Sequence, residues 1–91
     1  MPDKFAALRK KYLSSFPAKL EGIEEALKKK DMKLIHDLIH KLRGSSGGYG
    51  FDEISVHCKN IMQQLHESNN KTTKDIEKAI ETLLVLLSTA K

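Results

Sequence analysis

Apolar residues recur at helical spacing along almost the whole chain, and no alternating run of β-branched residues breaks the pattern. That periodicity admits an all-α fold and little else. Phe16, Leu20, Ile23 and Leu27 are spaced 4, 3, 4, the stripe of a helix with one buried face, over a segment from Phe16 or Pro17 to Lys30. Before it, residues 3–13 place Phe5, Leu8, Tyr12 and Leu13 on one face, and Ser14, Ser15 and Pro17 mark the break. Asp31 is set to cap a helix bearing Leu34, Ile35, Leu38, Ile39 and Leu42. Asp52 is set to cap another, bearing Ile54, Cys58, Ile61, Met62 and Leu65. A loop at Ser68–Asn70, extending to Thr73, precedes a last helix with Ile76, Ala79, Ile80, Leu83, Leu87 and Ala90 inward. The prediction is an antiparallel up-and-down four-helix bundle with a short extra N-terminal helix.

The size and charge narrow the function. Ninety-one residues make a single domain, 1–91, with no room for a deep catalytic cleft. The lone Cys58 excludes a disulfide framework and a cysteine-rich zinc site. No apolar run approaches the ~18 residues of a membrane span. The start, Met-Pro-Asp-Lys-Phe, lacks the layout of a signal peptide, so a cytoplasmic protein is expected. The net charge of +4 is uneven: eleven basic and six acidic residues precede Ser46, and five basic and six acidic follow. A basic half suits an acidic protein, nucleic acid or an anionic membrane, and is equally ordinary for a helical domain. Nucleic acid is disfavoured, because the cations are spread over several helices and only two Tyr and three Phe are available to stack.

The segment from His36 to Gly50 departs from helix rules. With Leu38 set at zero and a turn of about 100° per residue, Leu34, Ile35, Leu42, Ser45 and Tyr49 all fall within ~60° of it, as a core face. His40 then lies at about 200°, pointing away from the core, flanked by His36, Arg43, Gly44, Gly47 and Lys33. The stripe through Ser45 and Tyr49 carries the helix to Tyr49, with Gly50 as its left-handed stop. Each interior helical glycine forgoes about 1 kcal/mol relative to alanine. Gly44, Gly47 and Gly48 on an exposed face are explained by a partner that must come close to the imidazole. An exposed neutral imidazole is a usable nitrogen nucleophile, and Arg43, three residues on, is placed to pair with a phosphoryl group on the ring. The same residues fit an ordinary surface histidine beside a glycine-rich helix end.

The run His40-Lys-Leu-Arg-Gly-Ser-Ser-Gly-Gly-Tyr-Gly50 resembles the signature of the histidine phosphotransfer (HPt) domain, His-x-Leu-Lys-Gly followed by two small residues and an apolar-Gly pair. The likeness continues through Phe51, Ile54 and Cys58 and takes in the flanking helices. It implies a four-helix bundle whose His40 accepts a phosphoryl group from the aspartate of one receiver domain and passes it to another. By the same resemblance the chain is a carrier and not a kinase, has no cofactor of its own, and relies on Mg²⁺ held by the receiver. Lys33, Lys41, Arg43, Gly44, Gly47 and His36 would face the phosphoryl group or the partner, and a monomer is expected. Arg43 stands where Lys is usual, and a planar fork differs from a flexible ammonium. Some relatives hold the histidine with Gln or Glu from the next helix; here the count reaches Met62, with Gln63 and Gln64 following.

Other candidates have less behind them. His36 and His40 have the spacing of a helical metal pair, but no carboxylate or Cys completes it, and no metal site is expected. His57 and His66 read as structural or solvated, and Cys58 as a small core residue. Ser45 and Ser46 lack an Asp–His relay. Gly44–Gly50 lacks the Gly-Lys-Ser/Thr and the preceding strand of a nucleotide loop. The alternative to phosphotransfer is a bundle that docks or inhibits a signalling partner without being phosphorylated.

Overall fold

The computed structural model describes residues 2–91, with the side chains of 4–91. Among these residues there are five helices and no strand: α1 (Pro2–Leu13), α2 (Phe16–Lys28), α3 (Met32–Gly48), α4 (Asp52–Glu67) and α5 (Lys74–Thr89). Helices α2 to α5 form a bundle in which α3 packs on α2 and α4, and α5 packs on α4 and α2. The buried residues of α3, α4 and α5 follow one rule. Met32, Ile35, Ile39, Leu42 and Ser46; Ile54, Cys58, Ile61 and Leu65; Ile76, Ile80, Leu83 and Leu87 are all spaced by alternating threes and fours. That spacing keeps one seam facing the neighbours along the length of nearly aligned helices. Among the described residues no helix is long and apolar enough to cross a membrane.

Three of the helices stop in the same way. Gly50 (φ 84°), Lys30 (φ 53°) and Asn69 (φ 54°) each take the left-handed conformation. The next residue then returns its N–H to a carbonyl five back: Phe51 to Ser46, Asp31 to Ala26, Asn70 to Leu65. These paired bonds satisfy the carbonyls that a helix end leaves open. The predicted Gly50 stop is therefore present, with α3 itself ending at Gly48 and Tyr49 as its cap residue. Helix α2 ends at Lys28, two residues earlier than expected. Asp31 caps α3 by accepting from the Leu34 N–H at 3.1 Å, and Thr73, predicted as loop, caps α5 through Ile76 at 3.1 Å. The expected Asp52 cap is not formed: Asp52 is the first residue of α4, after Phe51, and with Glu53 it places carboxylates beside the positive helix end.

Two stripes differ from expectation. Phe5 and Leu8 of α1 are 49% and 51% exposed, because only the last turns of α1 reach the bundle. There Tyr12 stacks on Tyr49 at 4.4 Å and meets Phe16 edge-on, its hydroxyl lies 2.5 Å from Ser45 Oγ, and Arg9 sits 4.1 Å over the Phe51 ring. The molecule is 44 Å long and only 21 by 18 Å across. A 17-residue helix spans about 25 Å, so α1 supplies the excess. In α2, Ala26 is fully buried, while Leu20 and Leu27 are half-buried.

Candidate functional site

The site is built on α3, and its register differs from the sequence expectation. The buried residues Met32, Ile35, Ile39, Leu42 and Ser46 centre about 80° round the helix from Leu38. Leu38, Ser45 and Tyr49 are consequently half-buried, and Leu34 is 41% exposed. His40 remains exposed, but it lies about 120° from the middle of the buried arc and leans toward α4, where it was expected to point straight out. The residues opposite the core are Asp37, Gly44 and Gly48. Ser46, polar in composition yet small, is fully buried at the middle of this arc.

Across its solvent face, then, α3 presents a fixed order. On the α4 side stands His40, then Lys33 and Gly44, then Asp37 and Gly48, and on the α2 side Lys41. A Cβ added at Gly44 or Gly48 would meet nothing within 4 Å, so the ridge beside His40 is bare backbone. Gly47 is different: a Cβ there would lie 3.4 Å from Ser55 Oγ. Gly47 is exposed, as the sequence predicts, and lies on the edge of α3 that borders α4. Ser55 Oγ also donates to the Arg43 carbonyl at 3.3 Å, binding α4 to α3 one turn beyond His40. Ser55 was missed; it becomes visible when the chain is folded back at the three-residue connection, which sets it level with Gly47.

His40 makes no hydrogen bond or ion pair among the described residues. Its ring lies parallel to that of His36, with centroids 6.2 Å apart. His36 is half-buried, 3.7 Å from Asp37 Oδ1, and lines a polar dent of about 170 Å³ with Leu65, His66, Asn69 and Asn70 at the end of α4. The pairs Gly47–Ser55 and His36–His66 fix the register of the two helices and set Met62 level with His40. A thioether accepts hydrogen bonds only weakly, so Met62 is no orienting partner for the ring. Gln63 is exposed and Gln64 half-buried, neither with a bond to the imidazole. Arg43, Lys33 and Lys41 are exposed cations on the same helix. Among the described residues no group of three or more His, Cys, Asp or Glu is placed to hold a metal.

Chemically, the arrangement offers an accessible imidazole on a rigid helix, bare backbone one turn along, and cations on either side. Among the described residues no neighbouring side chain is hydrogen-bonded to the imidazole. The arrangement can present a nucleophilic nitrogen to a site completed by another molecule.

Comparison with known proteins bears on which molecule that is. A family model described as "Hpt domain" matches residues 7–90. No curated protein and no solved structure gives a significant match.

Proposed function

The chain belongs to the Hpt-domain family, and on that premise we propose that it relays a phosphoryl group between receiver domains on His40. The observation that carries this reading is His40 itself, exposed and unengaged at the position that matches the family's phosphorylated histidine. Residues 1–91 act as one unit, a carrier without kinase activity. Three- and six-residue connections between packed neighbours support the antiparallel up-and-down course of α2 to α5.

In the forward step, a ring nitrogen of His40 attacks the phosphorus of an aspartyl phosphate on a receiver. The N–P bond forms as the P–O bond to the aspartate breaks, and the carboxylate leaves with the electron pair. The reverse reaction on a second receiver completes the relay. Phosphoryl transfer of this kind rests on in-line positioning and on neutralising the phosphoryl oxygens. Arg43 supplies charge from this chain, and Lys33 and Lys41 flank the approach. The receiver supplies the acidic pocket and its Mg²⁺. The protein acts as a cytoplasmic monomer.

The test is transfer of label from radiolabelled, phosphorylated receivers, screened as a panel from the source organism, to the wild type and to His40→Gln. Acid-labile label on the wild type alone is the expected result. Label persisting on His40→Gln would move the site to His36. No label from any receiver, with the fold intact, would favour a docking module that is never phosphorylated.

A further inference from the structure

The ring of His40 lies parallel to that of His36, with an interplanar angle of 4° and centroids 6.2 Å apart. The helix dictates this. Residues four apart stand one above the other, and side chains lean toward the N-terminus, so the His40 ring is carried back over the turn that bears His36. His36 is held from two sides. Its Nδ1 is 3.7 Å from Asp37 Oδ1 on α3, and it closes the polar dent with Leu65 and His66 of α4 and Asn69 and Asn70 just beyond. The charges around the pair divide into fixed and changeable ones. Lys33, Lys41 and Arg43 of α3 are fixed cations, as is Lys59, on the edge of α4 that carries Met62 and His66. Asp37 is the carboxylate beside His36; Glu67 follows His66 but lies about 100° round α4. The changeable charges are those of the histidines, since an imidazole in water titrates near pH ~6.5. Asp37 favours a proton on His36, whereas Lys33 and protonated His40 or His66 oppose it. Phosphorylation of His40 reverses one of these influences, by replacing a ring that repels a charged His36 with a phosphoryl group that attracts it.

We propose that His36 is a positioning residue for the phosphoryl group on His40: a proton on the His36 ring holds the group in place, and the neutral ring lets it pass on. This rests on the phosphotransfer reading of His40. Opposite unit charges about 6 Å apart in a water-like medium favour one another about threefold, and by more once a docked partner has displaced water. Below neutrality, transfer from an aspartyl phosphate to His40 is accompanied by uptake of a proton from solvent at a ring nitrogen of His36. Onward transfer is accompanied by its release. The coupling is reciprocal: the phosphoryl group draws the proton onto His36 by the same factor as the proton draws the phosphoryl group onto His40. The fixed cations supply attraction that does not vary near neutrality, so His36 is what makes the retention of the group depend on pH. His66 shares the dent from α4, one turn along from Met62, which is level with His40, and it bears on the phosphoryl group through His36.

The experiment uses the full chain and a receiver already found to phosphorylate it. The partition of label between the two at equilibrium is measured at about pH 6 and about pH 8 for the wild type, His36→Gln, His36→Lys and His66→Gln. The pH dependence of the receiver and of His40 is common to all four and cancels in the comparison. From about pH 8 to 6, the wild type is expected to gain about threefold or more in retention relative to His36→Gln, and the two to agree within about twofold at pH 8. His36→Lys, whose long stem reaches solvent from a half-buried site, is expected to show at pH 8 the retention that the wild type reaches at pH 6. A proton NMR titration of the His36 ring reads the coupling without the receiver: its midpoint is expected to rise by about half a pH unit or more on phosphorylation of His40. Identical profiles for the wild type and His36→Gln, or a midpoint that phosphorylation leaves in place, would overturn the proposal with His40 still the acceptor. A pH dependence lost in His66→Gln and kept in His36→Gln would also overturn it, by giving the proton to His66. If no receiver transfers to the wild type, the reading of His40 itself fails, and the role of His36 goes with it.

Discussion

Gly44 and Gly47 are indistinguishable in the sequence and differ by what a methyl group would meet. At Gly44 it meets nothing; at Gly47 it meets Ser55 Oγ at 3.4 Å. Gly44→Ala is therefore expected to raise stability by about 1 kcal/mol, the helical propensity regained, in a urea or thermal melt. Gly47→Val, with two further carbons directed at α4, is expected to lower stability by about 1–3 kcal/mol. A bulky residue at Gly44, such as Leu, is then the clean way to obstruct a partner without disturbing α3 against α4. Cys58 is legible as a core residue and is fully buried, and its chemistry follows from that. Burial pushes its thiol up from 9.0 to about 12, an effect opposed by the neighbouring Arg43 cation. Tyr12 is also raised, mainly by burial. Groups raised on folding hold their protons longer in the folded chain. Their contribution is complete below about pH 9 and is lost as pH rises toward about 12. The melting temperature should fall over that window, and less steeply in Cys58→Ala. A thiol reagent at neutral pH should leave folded Cys58 untouched and label it on unfolding.

The helices were legible in number and order because each buried seam repeats in threes and fours, and such a signal survives without any tertiary knowledge. The rotation of α3 was not. Leu34, Ile35, Leu38, Ile39 and Leu42 spread over an arc of about 140° centred near Leu42, and counting Ser45 and Tyr49 with them draws the predicted face back toward Leu38. The packed helix centres on Ile39 and Ser46, and a wheel that scores apolarity leaves the small, polar Ser46 out of the core. Ser46 Oγ is buried with no hydrogen-bond partner. Ser46→Ala should accordingly be neutral or raise stability by about 1 kcal/mol, since it removes an unpaired hydroxyl and leaves the shape nearly unchanged. The helix ends divide along similar lines. Gly50 announces a left-handed stop, whereas Lys30 and Asn69 adopt the same conformation without a glycine to mark it. Asp31 is a cap in both readings, but Asp52 is not, because the bonds that close α3 at Gly50 and Phe51 leave Asp52 already inside the first turn of α4. Thr73 was assigned to a loop and is the working cap of α5. Thr73→Ala should cost about 1 kcal/mol of stability, a loss readable in the same melts.

At the scale of the whole molecule, the charges that matter to folding and those that matter to encounter are different sets. The ion pairs among the described residues, Lys29–Glu25, Lys30–Glu77 and His36–Asp37, all involve substantially exposed side chains. Such pairs contribute about 0–1 kcal/mol each and are screened by salt. The stability of the bundle comes from its apolar seams, so raising ionic strength from about 0.05 to 0.5 M should shift the melting temperature little. Encounter with an acidic receiver is another matter. The surplus of cations on the α1-to-α3 half includes Lys33, Lys41 and Arg43 beside His40, and an uneven field of this kind steers a charged partner toward one side. Over the same range of salt, the second-order rate of phosphoryl transfer should therefore fall by about tenfold or more, while the rate within the bound complex stays nearly constant. Lys41→Glu should lower the rate at low salt and flatten its dependence on salt, since it removes one steering cation and replaces it with a repelling charge. Stopped-flow transfer across a salt series, with melts at each point, separates the two sets. A transfer rate indifferent to salt would mean that short-range contacts, and not the field of the basic half, bring the receiver to His40.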